Sequence, residues 1–206
     1  MTPIRESDLE ETVRFLQIGP EQQEIVSGYL YILKVKHPSH FEHSMRVGQY
    51  SNKLAPLFGL EQKPAWYGGN LHDIGKISIP REVLNKKELN DQDRRIIRRH
   101  PWIGYLLLQD VLPFTAEIAL RHHIFQPNGY PVRLPKPRFD ERKTELITDY
   151  ARVVSIADFY DALTTRKDNA DNRYDKSKGP LKILTEHFNK HAKPIERAFQ
   201  EGIFQV

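Results

Sequence analysis

His72 and Asp73 stand side by side at the centre of the stretch Asn70-Leu71-His72-Asp73-Ile74-Gly75-Lys76-Ile77-Ser78-Ile79-Pro80. A neutral imidazole beside a carboxylate can share one hard-to-borderline divalent ion, and the second carboxylate oxygen can reach another. Lys76, three residues on, is placed to meet an anion drawn to such ions. A lone His-Asp dipeptide says little. Here it has company: His43 precedes it, and His100, the pair His122-His123 and Asp158 follow. Far apart in sequence, these residues act together only if the fold brings them to one pocket. The chain has no cysteine, which excludes disulfides, zinc ribbons and thiol catalysis. A metal site must then use histidine, carboxylate and water.

The elements that carry these side chains read as helices. Residues 7–18 form a short one, capped by Ser7 or Asp8 and broken by Gly19-Pro20. Residues 21–36 resume, with Ile25, Tyr29, Ile32 and Leu33 at helical spacing. After Pro38, Ser39 and Glu42 have the spacing of a capping box. The helix they would open runs to about Phe58 and is ended by Gly59. Its face Val47, Tyr50, Leu54, Leu57 also carries His43, four residues before Val47. His37 and His40, nearer its start, read as surface residues or as supports of a site. Residues 61–76 form the next helix and deliver His72-Asp73. Gly68-Gly69 within it costs about 1 kcal/mol per glycine relative to alanine, explained equally by a crowded metal centre or by tight helix packing. Gly75 lets the chain turn away, and a short helix ends near Leu84.

Asn90 and Asp91 cap a helix over 92–99 with Arg94, Arg95, Arg98 and Arg99, which reads first as a solvated face and second as an electropositive rim. His100-Pro101 leads into an apolar helix over 102–110, and Pro113 opens the helix that ends in His122-His123. Adjacent residues on a helix diverge by about 100°, but at a terminus both rings can face one cavity. Residues 124–142 hold Asn128-Gly129 and prolines 127, 131, 135 and 137, so they form a loop suited to a lid or substrate wall. Residues 141–166 are the longest helix. Asp158 lies in its apolar stripe, four residues after Val154, with Asp161 one turn further. A carboxylate there is costly unless paired or metal-bound. Helices over 181–191 and 194–201 complete the chain.

At 206 residues the chain fits one domain with an extension: residues 1–36 as a helical extension and 37–206 as the domain proper. A net charge of +4, from 31 basic and 27 acidic residues, suits an anionic substrate without implying nucleic-acid binding. The acidic N-terminus lacks the apolar core of a signal peptide. No run approaches the roughly 18 apolar residues of a membrane span, and a cytoplasmic location is the simplest expectation.

The order His43, His72-Asp73, Asp158 resembles the H…HD…D signature of the HD superfamily of metal-dependent phosphohydrolases. His72-Asp-Ile-Gly-Lys76, His100-Pro-Trp-Ile-Gly104, His122-His123…Gly129-Tyr130-Pro131 and Ala157-Asp158-Phe-Tyr-Asp161-Ala-Leu-Thr164 are similar to its HD-GYP subgroup, across about residues 37–200. The resemblance implies an all-α helical bundle with a dinuclear metal site. His43, His72, Asp73 and Asp158 would hold one ion, and Asp73 would bridge to a second held by His100, His122 and His123. Iron or manganese is expected, with zinc or nickel also compatible. Lys76 would contact the scissile phosphate, Tyr130 would flank the substrate, and Asp161 would orient a ligand. The implied reaction is hydrolysis of cyclic di-GMP or another nucleotide phosphoester by a metal-bridging hydroxide, with Asp73 and Lys76 catalytic. The alternative is a degenerate domain that binds a nucleotide or a protein without turnover. The chain departs from the subgroup in four places. Ile124 replaces a glutamate, the loop before Gly129-Tyr130-Pro131 is shorter, Arg166-Lys-Asp-Asn replaces Arg-Pro-Tyr-Arg, and Ser39 stands where three-metal members carry glutamate. These departures favour two ions over three. With no sensor domain expected in the chain, a signalling partner protein would supply regulatory input.

Overall fold

The computed structural model describes residues 19–126, 128–165 and 175–205. The expected helix over 7–18 and the segment Arg166-Lys-Asp-Asn lie outside them. The described residues are all-α, as expected: α1 Pro20–Lys36, α2 Pro38–Leu54, α3 Gln62–Leu71, α4 Arg81–Leu84, α5 Asp91–Ile97, α6 His100–Leu108, α7 Pro113–Arg121, α8 Glu141–Thr165, α9 Gly179–His187 and α10 Ala192–Gln200.

Two apolar clusters organise the bundle. In one, α8 supplies Tyr150, Val153, Val154 and Ile156, and Leu184 of α9 and Ile195 and Ala198 of α10 close over it. In the other, Val26, Leu30 and Leu33 of α1 meet Leu108 of α6. Helices α2, α3 and α7 contribute to both: Val47, Ala65 and Ile118 to the first, Met45, Trp66 and Leu120 to the second. The seven candidate ligands sit on or just past the ends of these shared helices, on α8, or at the start of α6, while Lys76 lies in the 3-10 turn after α3 and Tyr130 in the loop after α7.

Several local expectations change. The buried face of α1 is Val26, Leu30 and Leu33, and Ile32 is 43% exposed. The face is rotated because spacing of four and then three residues aligns these side chains with the second cluster. No Ser39–Glu42 capping box forms. Helix α2 begins at Pro38, whose fixed φ suits the first turn, with His37 as its N-cap. His37 itself is buried, not surface. Helix α2 ends at Leu54 and tightens into a 3-10 turn over Ala55–Phe58, since Pro56 has no N–H to continue the ladder. Gly59, at φ 69°, stops it as expected. Helix α3 ends at Leu71, not residue 76, and a 3-10 turn over Ile74–Ser78 follows. Gly68 and Gly69 serve helix packing. A Cβ on Gly69 would lie 2.7 Å from the Gly48 Cα of α2, and one on Gly68 would lie 2.8 Å from Ile118. Asn90 caps α5 and forms a capping box with Asp93.

Candidate metal centre

The fold brings together every side chain that the sequence nominated as a ligand. Asp73, His100, His122 and His123 present ligand atoms within 4.8 Å of one another, as do His43, His72 and Asp73, and also His72, His122 and Asp158. Asp73 lies between two groups of histidines. Its Oδ1 is 3.0 Å from His100 Nε2 and 4.0 Å from His122 Nε2. Its Oδ2 is 3.4 Å from His72 Nε2 and 3.7 Å from His43 Nε2. Asp158 completes the second group, with Oδ1 3.1 Å from His43 Nε2 and Oδ2 4.0 Å from His123 Nδ1. Lys76 is buried, and its Nζ donates to Asp73 Oδ2 at 2.5 Å.

Helix ends set the orientation of three rings. The last carbonyls of a helix lack intrahelical partners, and a histidine three residues later can donate to one of them. His72 Nδ1 donates to Gly69 O at 2.7 Å, at the end of α3. His100 Nδ1 donates to Ile97 O at 2.7 Å, the last residue of α5. His122 Nδ1 donates to Ala119 O at 2.6 Å, at the end of α7. Each bond fixes the tautomer and leaves Nε2 facing Asp73 with a free lone pair. His43 is held differently. Its Nδ1 meets Asp161 Oδ2 at 2.7 Å, and Asp161 is gripped by Arg46 through Nε at 2.6 Å and a second guanidinium nitrogen at 3.0 Å. Asp161 is therefore the hydrogen-bonding partner of the His43 ring.

Charge follows the same division. Burial opposes the charged form of His43, but the carboxylates of Asp158, Asp161 and Asp73 prevail and raise its pKa to about 9. Burial, assisted by the neighbouring imidazoles, holds His122 well below its usual range. Burial and His100 push His123 down to about 3. Burial lowers His100 as well, against the pull of Asp73. Asp73 and Asp158 stay well below the usual carboxylate range despite burial, Asp73 held there by Lys76 and by His72 and His100, Asp158 by His43, His72 and His123. The site thus offers ionised carboxylates and largely neutral imidazoles, the forms that bind metal.

The cluster suits divalent ions. His43 Nε2, His72 Nε2 and His123 Nδ1 are buried and find no hydrogen-bonding partner of acceptable geometry. Buried polar atoms left this way are costly, and all three point into the ligand cluster. With nitrogen and oxygen donors only, borderline transition ions fit.

Sequence reasoning missed several contributors. Arg46 was not singled out, although it lies one turn after His43 on α2. The three carbonyl acceptors carry no side-chain signal at all. Gly75 does not serve to turn the chain. It lets the 3-10 turn lie against the start of α6, where a Cβ would collide with His100 O and sit 2.7 Å from Gly104 N. Gly129 folds the loop back on the histidine pair, since a Cβ there would lie 2.9 Å from His123 O. This places Tyr130 over His123 in a stack, with centroids 4.5 Å apart at 30°. His40 packs edge-on to His37 and belongs to none of the ligand groups. Arg94, Arg95, Arg98 and Arg99 are exposed, as the solvated-face reading expected.

The family model described as "HD domain" matches residues 40–163. The chain is 31% identical over 168 residues to a cyclic di-GMP phosphodiesterase of Thermotoga maritima, covering 77% of this chain and 38% of the relative. It is 33% identical over 138 residues to 3'3'-cGAMP-specific phosphodiesterase 2 of Vibrio cholerae, covering 63% of this chain and 25% of the relative. The chain therefore spans well under half the length of these curated relatives. Among solved structures, the HD domain of the L. monocytogenes phosphodiesterase PgpH in complex with cyclic-di-AMP superposes with a TM-score of 0.51 at 21% identity, covering 86% of this chain and 85% of that one. With a family match across more than half of its length, enclosing both the His72-Asp73 pair and Asp158, the chain belongs to the HD domain family.

Proposed function

We propose that this chain is a metal-dependent phosphodiesterase acting on a cyclic dinucleotide or a related nucleotide phosphoester. The observation that carries the reading is the placement of Asp73, one oxygen toward His100 and His122 and the other toward His43 and His72. A bridging carboxylate of this kind suits two ions. The ligand set is His43, His72, Asp73 and Asp158 on one side and Asp73, His100, His122 and His123 on the other. Iron or manganese fits the donors best, and zinc or nickel is compatible. When bound, such ions supply an activated water and positive charge for the phosphoryl oxygens.

The remaining work falls to the chain's own residues. Asp73 and Lys76 are the catalytic groups: Asp73 holds the two sides in register, and the Lys76 ammonium is aimed at the same place and stabilises charge developing on phosphoryl oxygen. Asp161, fixed by Arg46, keeps the His43 ring in position. Tyr130 closes one wall of the substrate site. No serine or cysteine nucleophile is required. The relatives' named substrates, cyclic di-GMP and 3'3'-cGAMP, support a cyclic dinucleotide. Within this reading residues 1–36 are an extension to the catalytic domain, the setting is cytoplasmic, and a signalling partner supplies regulation. Among the described residues no helix is long and apolar enough to cross a membrane. Ile124 and the shortened loop favour a second reading, a domain that binds nucleotide or protein without turnover, but such a domain has no use for seven converging ligands.

Elemental analysis of protein purified without chelator tests the proposal, run beside Asp73→Ala. The expectation is about two transition-metal equivalents and turnover of a cyclic dinucleotide, both lost in the variant. Full metal content and turnover in Asp73→Ala would overturn it.

A further inference from the structure

Of the four exposed arginines around the end of α5, Arg98 has a distinct setting. Its guanidinium lies 5.5 Å from the centroid of the Tyr130 ring. Tyr130 in turn stacks on His123 at 4.5 Å and lies edge-on to His100 at 6.1 Å. Arg98, Tyr130 and His123 thus form a column running from solvent to the ligand cluster. The column is fixed at both ends. Arg98 follows directly on Ile97, whose carbonyl holds His100, and Gly129 presses the loop carrying Tyr130 onto the His123 backbone.

Among the described residues no carboxylate pairs with Arg98, whose guanidinium lies over the tyrosine ring. A guanidinium resting on an aromatic face keeps its N–H fork in the plane of the group, free to grip an oxyanion with two parallel bonds. Arg94, Arg95 and Arg99 are exposed on the same short segment and add positive potential. An anion is therefore favoured over a neutral base edge.

We propose that Arg98 is a specificity-determining residue that binds the phosphate of a dinucleotide which is not being cleaved, while the other phosphate lies at the metal cluster. The inference rests on the phosphodiesterase reading and extends it. A substrate with two phosphates engages both the cluster and Arg98, whereas a simple phosphodiester engages the cluster alone.

The test uses the full chain loaded with metal, and two probes. Hydrolysis of bis(p-nitrophenyl) phosphate reports on the cluster. The inhibition constant of cyclic di-GMP against that hydrolysis reports on dinucleotide binding, whether or not it is turned over. For Arg98→Ala we expect metal content equal to the parent and an inhibition constant raised at least about tenfold, the loss that follows from removing a charged hydrogen-bonding pair. Arg98→Lys, which keeps the charge but not the fork, falls between the two. The gap between parent and Arg98→Ala narrows as salt is raised, because the lost interaction is ionic and exposed. A residue that merely propped up Tyr130 would show no such salt dependence. Hydrolysis of the small diester with unchanged dinucleotide inhibition in Arg98→Ala would overturn the role of Arg98 and leave the phosphodiesterase reading standing. Failure of the parent protein to hydrolyse either compound would overturn both.

Discussion

His43 and the other histidines of the same cluster are oriented by different means. On one side, His43 is oriented by side chains: Asp161 accepts from its Nδ1 and Arg46 clamps Asp161. On the other, His100 and His122 are oriented by main-chain carbonyls at the ends of α5 and α7, as His72 beside His43 is by the carbonyl of Gly69. The consequence is electrostatic as well as geometric. A carboxylate partner stabilises the charged imidazole, and His43 stays basic at about 9. A carbonyl partner in a buried nest of imidazoles does not, and burial drives His122 far below its usual range. One side can be retuned by changing a single side chain. The other is tied to the backbone and to the packing that carries it.

The largest expected effect strikes the side-chain-held half. Asp161→Ala removes the partner of His43 and leaves Arg46 without its acceptor. Metal affinity on this side should fall by about tenfold to a hundredfold, the usual cost of losing a group that supports a ligand. Titration of metal into metal-free protein should then show one weakened site and one near the parental affinity. Equal weakening of both sites would break the distinction.

A smaller effect is expected on the backbone-held half, where no acceptor side chain exists to delete. Gly75→Ala would drive a methyl group into the His100 carbonyl. The helix must move, and overpacking of this kind costs about 1–3 kcal/mol. We expect a lower unfolding temperature together with weaker metal binding at the His100–His122 side and little change at the His43 side. Parental stability and parental metal content would show that the close approach at Gly75 does not set His100.

The subtlest effect is in protons. At pH 7 His43, at about 9, holds a proton in the metal-free protein, while His100, His122 and His123 are lowered and already neutral. Metal uptake at pH 7 should then release about one proton from His43, in addition to that lost by metal-bound water. The release should fade as pH rises through about 9, where His43 is already neutral. Below that, each fall in pH should weaken metal binding on that side, because the proton competes for Nε2. Calorimetry in two buffers of different ionisation enthalpy measures the release directly. No proton release at pH 7 would remove the contrast.

Much of the site was legible in the chain because residue type limits what buried groups can do. Seven histidine and aspartate ligands, without cysteine, could hold only hard or borderline ions. Asp158 in an apolar stripe demanded a partner wherever α8 ran. His43 showed its direction by standing one turn before Val47, and Asn90 marked the start of α5. The faces of isolated helices were less legible. Ile32 and Leu33 are equally apolar, and only contact with the second apolar cluster chose Leu33. His37 read as a surface residue or a support of the site because it stands near a helix start, and it is buried at the junction of α1 and α2. The boundary of α3 was missed because apolar spacing continues past Leu71, while the helix stops where His72 bonds to the Gly69 carbonyl.

The sequence by itself determined the helical class and nominated the candidate ligands, since these follow from side-chain chemistry and local periodicity. The tertiary structure alone decided which oxygen of Asp73 faces which histidines. It also brought Arg46 to Asp161 across 115 residues of chain, set Gly75 against His100 and ran Arg98 through Tyr130 to His123. Those arrangements depend on distances between segments remote in sequence, and the packing of helices, not any local pattern, fixes such distances.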